Sequence, residues 1–268
     1  MARSRRSTAS GAHGGASAIA GAGGIAAADA VASSGDGAGP RVAAIAEQLG
    51  RIDLFAGLNT AGLAEVAKRG TVRALPKGTI LFGQGTTADR CHALIEGRMR
   101  ISQAGAEGNQ VIVRFVGPGE TFGTVALFTD RHYPAEASAV VDSVEISWPE
   151  STLLELVERH PRIALNLVKI VGARLREAQE RLREIATQRV DQRIAHALLR
   201  LAPQTGQRAV IDFPVTRQDL AELCGATLYT VSRVLTAWEK AGYITTHRQK
   251  LTIRNFPEIR RLAGVTTD

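Results

Sequence analysis

The stretch TRQDLAELCGATLYTVSRVLTAWEKAGYI, residues 216–244, decides the reading of the chain. Thr216, with Asp219 three residues on, has the spacing of an N-cap that satisfies the free N–H groups of a helix start. A first helix over Arg217 to Leu223, a turn at Cys224-Gly225-Ala226 and a second helix from the N-cap Thr227 to Ala241, ended by Gly242, follow from it. Two helices joined by so short a Gly-containing turn make a helix-turn-helix, whose second member fits the major groove of a duplex. On that second helix Val231, Val234, Leu235 and Trp238 form the inward face, leaving Leu228, Tyr229, Ser232, Arg233 and Thr236 outward. Arg233 brings the paired donors that guanine accepts, and Ser232 suits a base or a phosphate. Tyr229 offers a hydroxyl and a ring for a thymine methyl. Thr216, Arg217, Gln218 and Thr230 lie near helix N-termini, where phosphate oxygens are held. Downstream, Tyr243 to Thr246, a polar turn at His247 to Lys250, and Leu251-Thr252-Ile253 alternate as a two-stranded wing.

Charge supports this placement. The chain of 268 residues carries net +7, but residues 161–268 alone carry +8, against −2 for 41–160 and +1 for 1–40. A basic C-terminal part beside a near-neutral one suits a phosphate-binding module joined to a module of another kind. At 44% hydrophobic residues, with no apolar run long enough to span a bilayer, neither a wholly disordered nor a membrane protein is expected. Cys91 and Cys224 are too few for a disulfide scaffold and favour a reducing compartment.

Upstream, residues 1–40 hold 9 Gly, 13 Ala and 6 Ser, a composition expected to remain a disordered tail. Its three early arginines resemble a signal or transit peptide, but it is too Gly-rich and is interrupted by Asp29, so a cytoplasmic location is expected. Residues 41–71 read as a helical lead-in. From Val72 to Trp148 short apolar runs, among them Ile80-Leu81-Phe82, Ala93-Leu94-Ile95, Val111-Ile112-Val113 and Val140-Val141, alternate with glycines. That texture predicts an antiparallel barrel or sandwich of roughly eight strands. Within 161–187, Ala164, Val168, Val171, Leu175, Ala178, Leu182 and Ile185 repeat at steps of four and three. So narrow a seam suits a partner helix, and a homodimer is expected through it. Val190 to Leu201 reads as an amphipathic helix and Pro203 to Gln207 as a loop. The expected organisation is therefore a tail (1–40), a sensing barrel with its lead-in (41–160), a dimerisation helix (161–187) and a DNA-binding part (188–268).

With the motifs T-R-Q-D-L-A at 216–221, T-V-S-R at 230–233 and G-Y-I at 242–244, the C-terminal part resembles the winged helix of the Crp/Fnr superfamily of transcription regulators. The barrel agrees: Gly119-Glu120-Thr121-Phe122-Gly123, Ala126-Leu127-Phe128 and Leu94-Ile95-Glu96-Gly97-Arg98 resemble the superfamily's effector cassette and its strand–Gly–strand signature. The resemblance covers about residues 45–255. It implies an α+β protein with an N-terminal β-roll of the cyclic-nucleotide-binding kind, a long dimerisation helix and a C-terminal winged helix-turn-helix. Its function would be that of a homodimeric cytoplasmic regulator reading palindromic double-stranded DNA, with RNA polymerase as partner if it activates. Base reading would fall to Leu228, Tyr229, Ser232 and Arg233, with Tyr229 standing where most members have glutamate.

The resemblance also departs inside the cassette. Thr124 stands where nucleotide binders have Glu, and Pro134-Ala135 stand where they have Arg followed by Ser or Thr. A buried phosphate without a paired cation is costly, so cyclic AMP is disfavoured as effector. Arg131, three residues early, is the residue that could restore it. The effector-pocket candidates are Gly123, Thr124, Ala126, Leu127, Arg131, Tyr133, Pro134 and Ala135. Two cysteines cannot ligate an iron–sulfur cluster, whereas haem stays open because one axial histidine suffices and His92, His132 and His160 are at hand. Tyr133-Pro134-Ala135, with the segment Thr227 to Arg233, is similar to the branch that responds to nitric oxide. The alternatives are a cyclic-nucleotide-responsive regulator and a ligand-gated regulatory subunit without DNA binding. No nucleophile motif, metal-ligand spacing or phosphate loop points to an enzyme, so neither catalytic nor metal-binding residues are expected.

Overall fold

The computed structural model describes residues 45–202, 209–247 and 250–265. The expected tail, residues 41–44 of the lead-in, the Pro203–Gln207 loop and the tip of the wing lie outside the described residues. A helical stretch over 45–49, a 3₁₀ turn Asp53–Phe55 and helix α1 (Thr60–Arg69) lead in. Then come β1 (Thr71–Leu75), β2 (Ile80–Phe82), β3 (Arg90–Glu96), β4 (Met99–Ala104), β5 (Gln110–Val116) and β6 (Thr121–Phe122). A short helix α2 (Thr124–Leu127) precedes β7 (Glu136–Ala139) and β8 (Ser143–Pro149). The eight strands form two four-stranded sheets, ordered β1-β8-β3-β6 and β2-β7-β4-β5, with every pairing antiparallel. The strand count is the one the glycine-punctuated sequence predicts, and the arrangement is the β-roll that the resemblance implies. Gly97 shows why that punctuation is needed: at φ 92° it turns β3 into β4, and a Cβ there would sit 2.2 Å from Ser143 Oγ.

The barrel closes over Trp148, whose indole N–H donates to the Val66 carbonyl (2.9 Å) and whose ring meets Phe55 edge-on at 4.8 Å. That contact ties the lead-in to the last strand. Val140-Val141, expected as a strand from its β-branched composition, instead lies in the turn between β7 and β8 and packs on the C-terminal core. Tertiary burial explains its apolar character as well as a strand would.

Helix α3 (Glu150–Arg159) leads into the long helix α4 (Arg162–Thr187), followed by α5 (Val190–Leu201). Asn166 anchors α4 by donating to the Leu54 and Ala56 carbonyls at 3.0 and 2.9 Å. The C-terminal part contains β9 (Ala209–Val210), α6 (Arg217–Cys224), α7 (Leu228–Lys240), β10 (Ile244–His247), β11 (Lys250–Ile253) and α8 (Phe256–Ala263). The wing is three-stranded rather than two-stranded, because β9 pairs with β11. Helix α8, which the sequence reading passes over, packs on α5. Its signals were present: Asn255 caps it by accepting from Glu258 N–H, Pro257 sits in its first turn and Gly264 ends it at φ 73°.

The C-terminal core does not stop at the winged helix. Ile112 and Phe115 of β5 are buried in it, Phe115 meeting Phe213 at 5.0 Å. Arg98, just before β4, pairs with Asp212 (3.1 Å) and lies over the Phe213 ring, while Arg100 of β4 reaches Asp219 at 3.5 Å. The winged helix therefore docks on the outer face of the β-roll through an apolar centre flanked by two ion pairs.

Candidate nucleic-acid interface and effector cavity

Local rules place the reading helix. Thr216 Oγ1 accepts from Asp219 N–H at 3.0 Å and the Asp219 carboxylate accepts from Thr216 N–H at 2.8 Å, closing a capping box at the start of α6. Gly225, left-handed at φ 59°, ends α6, and Thr227 caps α7 by accepting from Thr230 N–H. Val231, Leu235 and Trp238 are buried, with Val234 packed against the same core, as their spacing predicts. The opposite face is open: Leu228 is 47% and Tyr229 77% exposed. Arg233 is exposed too, and among the described residues no hydrogen bond or ion pair engages its guanidinium. A shallow groove runs along Tyr229, Ser232, Arg233, Thr236 and Lys240.

The residues expected at phosphates are arranged differently. Arg217 braces the two helices, donating to the Ser232 carbonyl (3.3 Å), Thr236 Oγ1 (3.1 Å) and the Glu239 carboxylate (3.2 Å). Gln218 donates to Glu222 at 2.8 Å, and the Thr216 and Thr230 hydroxyls are engaged in capping contacts. Of the eight candidates, Leu228, Tyr229, Ser232 and Arg233 thus form the open row. Sequence reasoning passed over Arg193, which donates to the carbonyls of Cys224 and Gly225 and holds the turn between the helices. Nothing in its spacing signals that role, whereas Lys240, seven residues beyond Arg233 on the same helical face, was legible.

In the β-roll a cavity of about 670 Å³ opens against α4. Gly123, Thr124, Ala126, Tyr133, Pro134 and Ala135 line it, as expected; Leu127 and Arg131 do not. Leu127 is buried in the core of the lead-in. Arg131 turns outward and pairs with Glu150. The polar groups of the cassette are consumed internally: the Thr124 hydroxyl lies 3.0 Å from Cys91 Sγ, and the Tyr133 hydroxyl donates to the Arg90 carbonyl at 2.9 Å. Burial pushes both the Cys91 thiol and the Tyr133 phenol up to about 12.

These contacts also bear on a haem. His92 is buried with Nδ1 3.2 Å from Glu145 and Nε2 3.2 Å from Tyr133, and its ring is flanked by Phe82 and Phe122. His132 is exposed at the surface with Nδ1 on the Asp130 carbonyl, and His160 binds Glu65. None of the three lines the cavity. The residues present do not fit a histidine-ligated haem.

At the cavity rim Arg114 and Arg174 both donate to Glu120 at 2.5 Å. Burial alone would raise the Glu120 pKa, but Arg114, the Gly117 N–H and Arg174 outweigh it and hold the carboxyl below its ordinary range. Along α4 the seam is left uncovered by the described residues: Val168, Val171, Leu175, Leu182 and Ile185 are exposed at 70, 41, 59, 68 and 57%, with Ala178 exposed between them.

A ligand-sized cavity in a β-roll, joined by a long helix to a winged helix with an open reading face, defines a sensor-type DNA-binding transcription regulator. Residues 72–160 match the cyclic nucleotide-binding domain family and residues 192–262 the Crp-like helix-turn-helix domain family. The chain is 32% identical over 172 residues to a cyclic AMP receptor protein of Thermus thermophilus, covering 64% of this chain and 78% of that one. It is 24% identical over 221 residues to a CRP-like cAMP-activated global transcriptional regulator of Mycobacterium tuberculosis, covering 81% and 99%. Among solved structures, a CRP/FNR-family transcriptional regulator of Thermus thermophilus superposes with TM-score 0.61 at 27% identity, covering 72% of this chain and 98% of that one. The chain belongs to the Crp/Fnr family of DNA-binding transcription regulators and is not an enzyme. The names of these relatives do not carry the nitric-oxide branch suggested by the short motifs.

Proposed function

We propose that the protein works as a cytoplasmic homodimer, paired along α4, that reads a palindromic operator under the control of an effector other than cyclic AMP. Its working division is a sensing β-roll over 41–160, a dimerisation helix over 161–187 and a winged helix over 188–268. The observation that carries the reading is the pairing, among the described residues, of two open surfaces on one chain: the exposed seam of α4 and the Arg233 row of α7. A two-fold axis along α4 presents two copies of α7, and half-sites about one helical turn apart follow. RNA polymerase is the further partner if the protein activates.

The effector part of the proposal rests on the cassette. Two relatives are named for cyclic AMP, but here Thr124 is turned to Cys91, Pro134-Ala135 supply no cation and Arg131 is committed to Glu150. At the cassette end of that pocket a cyclic phosphate would lack its counter-charge. Selection of bound sequences from random duplexes, followed by affinity measurement with and without cyclic AMP, tests both parts. A palindromic consensus with unchanged affinity in the nucleotide is expected. A non-palindromic consensus would overturn the dimeric reading, and a cyclic-AMP-dependent gain would overturn the effector reading.

A further inference from the structure

The cavity has two ends of different chemistry. Its β-roll end is walled by Phe82, Ile101, Phe122 and Val125, with Leu167 and Ile170 of α4 opposite, and the polar groups beside them are already engaged. Its other end reaches Arg181 and is closed by Leu223, Cys224 and Gly225, the turn of the helix-turn-helix.

Of the five arginines that line the cavity, Arg181 and Arg193 form no ion pair among the described residues, and Arg193 is taken up by the carbonyls of Gln188, Cys224 and Gly225. Arg114 and Arg174 share Glu120, Arg174 also meets Glu177, and Arg200 meets Glu184. Arg181 is partly buried and donates to the Val113 carbonyl, but no carboxylate among the described residues forms an ion pair with it. Burial, then the nearby Arg200, lowers its pKa, with Glu177 and Glu184, which also line the cavity, acting in the opposite direction.

Building on the regulator reading above, we infer that this cavity binds an acyl carboxylate, its chain in the apolar β-roll end and its headgroup on Arg181 beside the helix-turn-helix turn. Scale agrees. Ile170 and Arg181 are eleven residues apart on α4, about 16 Å at the helical rise, which selects an extended chain over a compact ring. An exchange of the Val113 carbonyl for a carboxylate gives Arg181 the charge partner it lacks. The same ligand then touches the β-roll, α4 and the turn that Arg193 holds, so its occupancy bears directly on how the winged helix is docked. Seating of a second α4 on Ala178, Leu182 and Ile185 roofs the open side, so the dimer is the form to test.

The experiment is calorimetric titration of the full-length protein with dodecanoate and, as the uncharged control, dodecan-1-ol. One dodecanoate per protomer is expected, binding at least tenfold more tightly than the alcohol. Arg181→Gln should weaken dodecanoate by at least tenfold and erase the difference between acid and alcohol. Val125→Trp, at a half-exposed position on the cavity wall, should remove binding of both. Circular dichroism and light scattering on each variant establish that it is folded and dimeric. Equal affinity for acid and alcohol in the unmodified protein, many ligands per protomer, no binding, or binding untouched by Val125→Trp would each overturn the inference. Operator binding measured on the same preparation separates the two claims: retained palindrome recognition with no dodecanoate binding sinks this inference and leaves the DNA-binding reading standing.

Discussion

The reading helix and the β-roll cavity were shaped under different rules, and the contrast between them is instructive. On α7 the backbone is dictated by local chemistry, a cap at Thr227 and an apolar stripe through Val231, Leu235 and Trp238, so the outward residues follow from the inward ones. In the cavity, wall residues come from β2, β4, β5, β6, α2, α4, α5 and α6, and no short window of sequence contains them. The interface presents free polar groups toward a partner still to arrive, whereas the cassette has spent its polar groups on itself. One surface is ready for a polyanion; the other is ready for an apolar body.

The largest effect should come from separating the two copies of the interface. Leu175→Glu places a charge in the exposed seam, and the protein should sediment as a monomer with operator affinity lower by about a hundredfold or more, since the second half-site is no longer an intramolecular target. Retention of a dimer would move the interface away from α4. Next, Arg233→Ala should weaken operator binding by ~1–3 kcal/mol while leaving random-sequence binding almost unchanged. Comparable losses on both duplexes would show that Arg233 holds phosphate rather than a base. Tyr229→Glu sharpens the point, because a carboxylate accepts from cytosine N4. Re-selection from random duplexes should then return a cytosine at the position the new residue faces, and an unchanged consensus would remove Tyr229 from the reading row.

Smaller effects concern the scaffold. Thr216→Ala opens the capping box and should lower unfolding stability by about 1 kcal/mol in chemical denaturation. On the cavity side, Cys91 and Cys224 are pushed up by burial to about 12 and about 11, so neither thiol ionises appreciably at neutral pH. Iodoacetamide should leave both unmodified in the folded dimer, and rapid labelling of Cys91 would show that the cassette opens.

Legibility in the sequence follows the same division. The helix-turn-helix, the seam of α4 and the strand texture were readable because each depends on spacing within a few turns of chain. The wing's third strand was not, since Ala209-Val210 is only two residues long and is defined by its partner β11. Arg217 is expected at phosphate from its place near a helix start; its contacts to Thr236 and Glu239 across the helix pair are tertiary and are not readable from spacing. The cassette's departure at Thr124 and Pro134-Ala135 was visible as missing charge; where the remaining charge went, Arg131 to Glu150 and Arg114 to Glu120, needed the fold.

Footprinting of the dimer on its selected operator, with the mass of the complex measured in the same solution, tests the central claim most directly. Two protomers per duplex and two protected major-groove segments centred about 10–10.5 base pairs apart are expected. One protomer per duplex, or a single protected segment, would contradict the claim.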